Sequence, residues 1–180
     1  MRTATRSTSR AASAMVVAAA LALVGIQAAG ATASAATPKA SPVTCTSANT
    51  KVTVTEVSRP INHLLLKATN TGSKPCFAYS APFLRAGADA QAPLAWADET
   101  VPQAVLTLEP GQSAYAGITT YSPDGEGGST VKTLGVLFST RDGHAINPEK
   151  TLKLPHGGVF FNSAGTVTYW QNNAADALAW

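Results

Sequence analysis

The sequence predicts an all-β domain that follows an N-terminal secretion signal. Short segments in which apolar and polar residues alternate are separated by turns rich in Gly and Pro. No segment keeps a helical periodicity over ten residues. This combination is typical of a β-sandwich or a β-barrel.

The predicted strands follow one another along most of the exported chain. Val52 and Val54 alternate with polar neighbours, which is the period-two pattern of a half-buried strand. Further runs rich in Val, Leu, Ile, Phe and Thr predict strands at 63–69, 77–79, 83–85, 104–108, 114–120, 133–140, 151–154, 159–161 and 166–170. Dipeptides such as Asp124-Gly125 and Asp142-Gly143 separate these runs, because Asp and Gly adopt the backbone conformations that turns require.

The first 35 residues have the three parts of a secretory signal peptide. The basic region contains Arg2, Arg6 and Arg10. An Ala-rich apolar stretch follows over residues 11–26, and Ala33-Ser34-Ala35 then forms a small-residue cleavage site. We expect cleavage after Ala35, or after Ala36, and a secreted, extracellular mature chain without a membrane span. The alternative, a transmembrane anchor, requires about 20 strongly apolar residues, and this stretch is shorter.

Removal of this signal changes the charge of the protein. The precursor has 13 Lys and Arg residues against 10 Asp and Glu residues, and three of the Arg residues lie in the predicted signal. The mature chain is therefore electrically neutral, and its remaining basic residues are scattered singly. A protein that follows a phosphate backbone needs a basic stripe. Nucleic acid is consequently not expected as a partner.

The remaining chain has the length of one domain. Its first residues, 36–44, are rich in Ala, Pro, Ser and Thr and predict a flexible lead-in. The β-domain is expected over 45–171, and 172–180 is expected to form a tail or a short helix. Cys45 and Cys76 both lie in the exported part, where two cysteines most simply form a disulfide. Two free thiols are the alternative.

The sequence contains no recognisable catalytic or metal-binding motif. His63, His144 and His156 are far apart and lack the close spacing of zinc ligands. We therefore expect no cofactor, no metal and no enzymatic activity. The alternative is a small hydrolase whose site assembles from distant residues, such as His63 or His156 with Asp98 or Asp142.

Two aromatic residues are candidates for a binding surface. Trp96 lies in the predicted loop 95–103 and Tyr121 in the predicted loop 121–130, and each has charged neighbours. An exposed aromatic side chain among polar groups is a common anchor for a partner. The alternative is that Trp96 packs into the core, as strand aromatics usually do.

The segment 64–76 (LLLKATNTGSKPC), the upstream Cys45, the YSAP segment 79–82 and the LTLEPGQSA segment 106–114 carry a resemblance to a known family. They resemble the exported actinobacterial family called domain of unknown function 4232. The resemblance implies a β-sandwich and no established activity, and it narrows our prediction to an immunoglobulin-like antiparallel β-sandwich. Ser80-Ala81 departs from the Gly-Tyr that is frequent in the family, and a second cysteine pair that is common there is missing.

These observations favour a secreted, non-catalytic binding module. Its expected partner is an extracellular protein or a glycan of the cell envelope. Besides the hydrolase, a secreted protease inhibitor that presents loop 121–130 is an alternative. Gly125, Gly127 and Gly128 argue against the inhibitor, because glycines loosen a loop that inhibition requires to be rigid.

Overall fold

The computed structural model describes residues 40–180. The predicted signal peptide 1–35, its cleavage site at Ala35 and Ala36, and the first residues of the predicted lead-in lie outside the described residues. Among residues 40–180, no helix is both long enough and apolar enough to cross a bilayer.

Residues 40–180 form twelve strands, two short 3₁₀ segments and one short α-helix, so the predicted all-β class is confirmed. In chain order the strands are β1 (Val43–Thr44), β2 (Thr50–Glu56), β3 (His63–Asn70), β4 (Cys76–Ala86), β5 (Ala95–Ala97), β6 (Leu106–Leu108), β7 (Ser113–Thr119), β8 (Ser129–Val131), β9 (Thr133–Ser139), β10 (Ala145–Lys153), β11 (Val159–Phe161) and β12 (Thr166–Thr168). The helix α1 spans Ala174–Ala177.

The strands form two larger sheets and one two-stranded ribbon. One sheet has the order β1-β4-β9-β10, with β6 also paired to β4, and the other has the order β2-β3-β7-β12-β5. Strands β8 and β11 form the ribbon. Pairing is mostly antiparallel, but β1 runs parallel to β4 and β5 runs parallel to β12. Both large sheets are therefore mixed rather than purely antiparallel. Long connections rather than hairpins join β1 to β4 and β5 to β12, as parallel neighbours require.

A single apolar core lies between the two large sheets. Strands β3 and β7 contribute side chains of Leu, Ala and Ile at every second position, since alternate residues of a strand point to the same face. Strands β4 and β9 contribute the facing set. The largest buried side chain, Trp170, stacks on Phe138 of β9 with ring centroids 5.7 Å apart. Tyr169, the residue before Trp170, consequently points away from this core.

The disulfide between Cys45 and Cys76 is present and buried in the core. It lies where β1 meets β4, because Val43 pairs with Cys76 and the Cys45 amide donates to the Phe77 carbonyl. The end of the predicted lead-in is thus a short strand. Pairing with β4 satisfies backbone groups that would otherwise need water.

The carboxyl-terminal segment folds onto the sheet. Asn173 caps α1 by accepting a hydrogen bond from the Asp176 amide at 2.8 Å. Ala177 is buried, and the indole of Trp180 packs edge-on against His63 of β3 with ring centroids 6.1 Å apart. Of the two predicted possibilities for 172–180, a tail or a short helix, the structure has the short helix.

Candidate binding surfaces

The first candidate surface surrounds Trp96, and we call Phe83, Trp96 and Tyr169 the Trp96 cluster. Trp96 belongs to β5, which the sequence did not predict as a strand. Its indole lies between Phe83 and Tyr169, with ring centroids 4.8 Å and 5.6 Å away. The indole N–H donates to the Pro82 carbonyl at 3.2 Å. The ring is partly buried and packs against the core, as the second interpretation expected, while its role in binding stays a prediction.

Asp98 lies at the edge of the Trp96 cluster. The Tyr169 hydroxyl donates a long hydrogen bond of 3.4 Å to an Asp98 carboxylate oxygen. Partial burial raises the pKa of the Tyr169 phenol, and the negative charge of Asp98 raises that pKa further. Asp98 thus stabilises the neutral phenol at this site and is not paired with a histidine.

The second candidate surface surrounds Tyr121, and we call the cleft between Glu56, Asn62, Tyr121, His156 and Phe160 the Tyr121 groove. The rings of Tyr121 and Phe160 meet at 62° with centroids 5.7 Å apart. Both residues stay exposed, at 38% and 41% of their surface. On the other side, His156 Nε2 lies 3.1 Å from a Glu56 carboxylate oxygen. The cleft has a volume of about 590 Å³, within the range of small-molecule sites.

Three separate connections assemble this groove. Asn62 lies in the turn between β2 and β3, Tyr121 follows β7, and His156 lies in the 3₁₀ segment between β10 and β11. The amide and the hydroxyl of Thr120 both donate to the Asn62 carbonyl, at 2.9 Å and 3.0 Å. This anchors the Asn62 turn to the residue that precedes Tyr121.

Loop 121–130 is anchored to the residues that follow β11. The Asn162 side-chain amide donates to the Ser122 carbonyl at 2.8 Å, and the Glu126 amide donates to the Ser163 hydroxyl at 2.7 Å. Gly128 lies directly under Phe160, where a Cβ atom would be 2.4 Å from the ring. This glycine therefore permits close packing of the Phe160 ring. The sequence predicts a different role, in which the glycines make loop 121–130 less rigid.

Two polar groups of the groove make no hydrogen bond within residues 40–180. These are the side-chain amide of Asn62 and the hydroxyl of Tyr121, while the Glu56 carboxylate pairs with His156 alone. The side chains of Glu56 and His156 are exposed, at 54% and 80%. The groove thus combines two open aromatic faces with donors and acceptors that a ligand can reach.

A third feature is an apolar cavity of about 210 Å³ on the outer face of β4 and β9. Phe83, Leu137 and Pro93 contribute to its lining, and an ion pair lies at its rim. Arg85 donates to both carboxylate oxygens of Glu149, at 3.0 Å and 2.8 Å. The hydrogen bond and the charge of Glu149 raise the pKa of Arg85.

This ion pair crosses β9 at Gly135, which pairs with Arg85 on one side and with Thr151 of β10 on the other. A Cβ atom on residue 135 would lie 2.4–2.6 Å from the Glu149 carboxylate. The absence of a side chain at Gly135 therefore lets the two charged groups meet above the strand.

The histidines are engaged separately. His63 Nδ1 donates to the Ile61 carbonyl at 2.7 Å, because a carbonyl only accepts, and Nε2 of the neutral ring accepts from the Thr119 hydroxyl at 3.0 Å. His156 pairs with Glu56, and neither histidine contacts Asp98 or Asp142 within the described chain. Over residues 40–180, no three His, Cys, Asp or Glu side chains come together in a metal-binding arrangement.

The comparisons with known proteins add one finding. A family model described as a domain of unknown function (DUF4232) matches residues 45–171. No curated protein and no solved structure matches the chain.

Proposed function

This chain belongs to the family described as a domain of unknown function (DUF4232). Because that description assigns no activity, we propose a role from the features of the chain's own surface. It is a secreted, non-catalytic binding module that holds its partner in the Tyr121 groove. The buried disulfide supports the secreted location, because disulfides persist in oxidising compartments.

One observation carries the proposal. Two aromatic rings meet at an open corner of the molecule beside a carboxylate, an imidazole and an unused amide. Exposed aromatic rings keep apolar surface in contact with water, which is unfavourable. A partner that covers the rings removes this surface from water, and this favours binding. Aromatic residues surrounded by polar groups are frequent anchors of binding interfaces.

The positions of the histidines support the non-catalytic part of the proposal. A hydrolase needs a nucleophile, a base and a group that orients the base, all within hydrogen-bond reach. The pairings that the sequence suggested, His63 or His156 with Asp98 or Asp142, are not formed in the described chain. His63 does contact the Thr119 hydroxyl, so the experiment includes a variant at His63.

Retention of envelope material tests the proposal. The exported form of the chain is immobilised and exposed to a cell-envelope fraction and to concentrated culture medium of the producing cells. Wild type should retain a component that Tyr121→Ala loses, while both have the same melting temperature. Tyr79→Ala is the matched control, because Tyr79 packs on Phe77 outside the groove and should keep retention.

Three results would contradict this function. Equal retention by wild type and Tyr121→Ala would remove the groove from the interaction. Turnover of ester, peptide or glycan substrates that disappears in His63→Ala would make the protein a hydrolase. Inhibition of a protease that requires loop 121–130 to be intact would make it an inhibitor.

A further inference from the structure

We propose that the ligand of the Tyr121 groove is a saccharide that carries no phosphate or sulfate groups. One sugar ring would stack on Tyr121 and Phe160, and its hydroxyls would bond to Glu56, Asn62 and the Tyr121 hydroxyl. This inference rests on the proposed function and names the class of its ligand.

The geometry of the rings supports stacking against a sugar. Tyr121 and Phe160 are inclined at 62° and form an open corner rather than an enclosed apolar pocket. A pyranose has an apolar face of C–H groups and a rim of hydroxyls. It can therefore cover an aromatic face while its polar rim stays hydrogen-bonded. A purely apolar ligand would leave the polar half of this groove without partners.

The polar groups of the groove match neighbouring hydroxyls. A hydroxyl both donates and accepts, so two adjacent hydroxyls are best satisfied by acceptors and donors side by side. Glu56 offers an acceptor, and Asn62 offers both an acceptor and a donor. Because the Asn62 amide is not used elsewhere in the described chain, a ligand gains its hydrogen bonds without breaking others.

The charge of the groove selects against anionic ligands. Its described lining contains the Glu56 carboxylate and His156, and no Lys or Arg. A phosphate or sulfate group would meet a carboxylate without a permanent cation to balance it. A neutral or amino sugar fits a lining of this charge.

Direct titration with defined sugars tests the proposal. The probes are trimers of glucose, N-acetylglucosamine, mannose and galactose, each titrated into the exported chain with calorimetry and amide NMR. At least one trimer should bind and shift resonances of residues 120–122 and 158–160. Tyr121→Ala and Phe160→Ala should each weaken that binding about tenfold or more. Tyr121→Phe, which keeps the ring, should lose much less.

One control and one further variant make the result specific. Tyr79→Ala alters an aromatic ring outside both candidate surfaces and should bind like wild type. Glu56→Gln keeps the size of the side chain but removes its charge, and it should weaken a neutral sugar several-fold. Absence of binding for all four trimers, or equal binding by wild type and Phe160→Ala, would overturn the saccharide assignment.

A chemical treatment separates this inference from the proposed function. The envelope fraction that wild type retains is treated with periodate, which cleaves vicinal diols of sugars, or with a protease. Loss of retention after periodate but not after protease is expected. Loss after protease alone would leave a binding module with a protein partner, and the saccharide assignment would be wrong. No retention by wild type before either treatment would contradict the proposed function itself.

Discussion

The Trp96 cluster and the Tyr121 groove contain the same kinds of side chain but differ in how they join the core. Trp96 is part of a strand, contacts two rings and donates a hydrogen bond to the backbone. Tyr121 lies in a loop and contacts one ring, which is itself exposed. The first surface is therefore coupled to folding, whereas the second is available to a partner with little effect on folding.

This difference shows that the aromatic residue alone does not determine its role. Both positions present an aromatic side chain near charged residues in the sequence. Pairing of β5 with β12 brings Trp96 next to Tyr169, and no comparable pairing among the strands of residues 40–180 covers Tyr121. Pairing within a sheet, more than residue type, separates the partly buried ring of Trp96 from the exposed ring of Tyr121.

The largest expected effect is at Trp96. Trp96→Ala removes a partly buried ring and should lower the free energy of unfolding by about 3 kcal/mol, since truncation of a buried aromatic leaves a cavity. The melting temperature should fall by roughly 10 °C. Thermal unfolding followed by circular dichroism measures this. Tyr121→Ala is the matched comparison and should change stability by less than about 1 kcal/mol. Equal losses in the two variants would remove the distinction between the surfaces.

An intermediate effect is expected beneath Phe160. Gly128→Ala places a Cβ atom against the Phe160 ring at a backbone φ of +123°, and it should cost about 2 kcal/mol and displace the ring. Gly127→Ala is the control, because φ is +61° and no atom lies within 4 Å of the added Cβ. It should cost about 1 kcal/mol and leave the groove intact. Chemical denaturation and the sugar titration together measure both effects. If Gly127→Ala damages the groove more, the close packing of Phe160 on Gly128 does not shape the groove.

The smallest expected effect concerns Tyr169 and Asp98. Asp98→Asn removes a negative charge that raises the pKa of the Tyr169 phenol, so this pKa should move down towards its ordinary value while the effect of burial remains. Absorbance titration of the phenolate measures it. The unfolded chain loses the phenol proton at lower pH than the folded chain. The stability that this group contributes is therefore present below about pH 10 and is lost as pH rises through the raised pKa. An unchanged pKa in Asp98→Asn would contradict the contact.

Sequence patterns predicted the strands whose own residues alternate. Strands β2, β3, β7 and β9 lie close to their predicted positions because one face of each is buried in the core. The three-residue strands β5 and β8 were missed, because partners distant in the sequence form them and their own residues show no pattern. The first half of β10 was also missed. Its residues are mostly exposed, they include Pro148, and the pairing with β9 shifts register there. The immunoglobulin-like arrangement stays a prediction.

The candidate site was only partly predictable for a related reason. Trp96 and Tyr121 stand out in the sequence as aromatic residues in polar surroundings. Glu56, Asn62 and Phe160 carry no such signal, and only the folded chain brings them beside Tyr121. His156 lies in the 3₁₀ segment Pro155–Gly157, and its position beside Glu56 likewise follows only from the folded chain.

The crossing of the Arg85–Glu149 pair over Gly135 has a consequence for how this sequence can change. The three positions belong to three different strands, yet each restricts the others. A side chain at position 135 would occupy the space of the Glu149 carboxylate, and loss of that carboxylate would leave Arg85 without this ion pair. These three residues should therefore change together during evolution. Homologues with a larger residue in place of Gly135 should also have replaced the glutamate, and single substitutions should be rarer than joint ones.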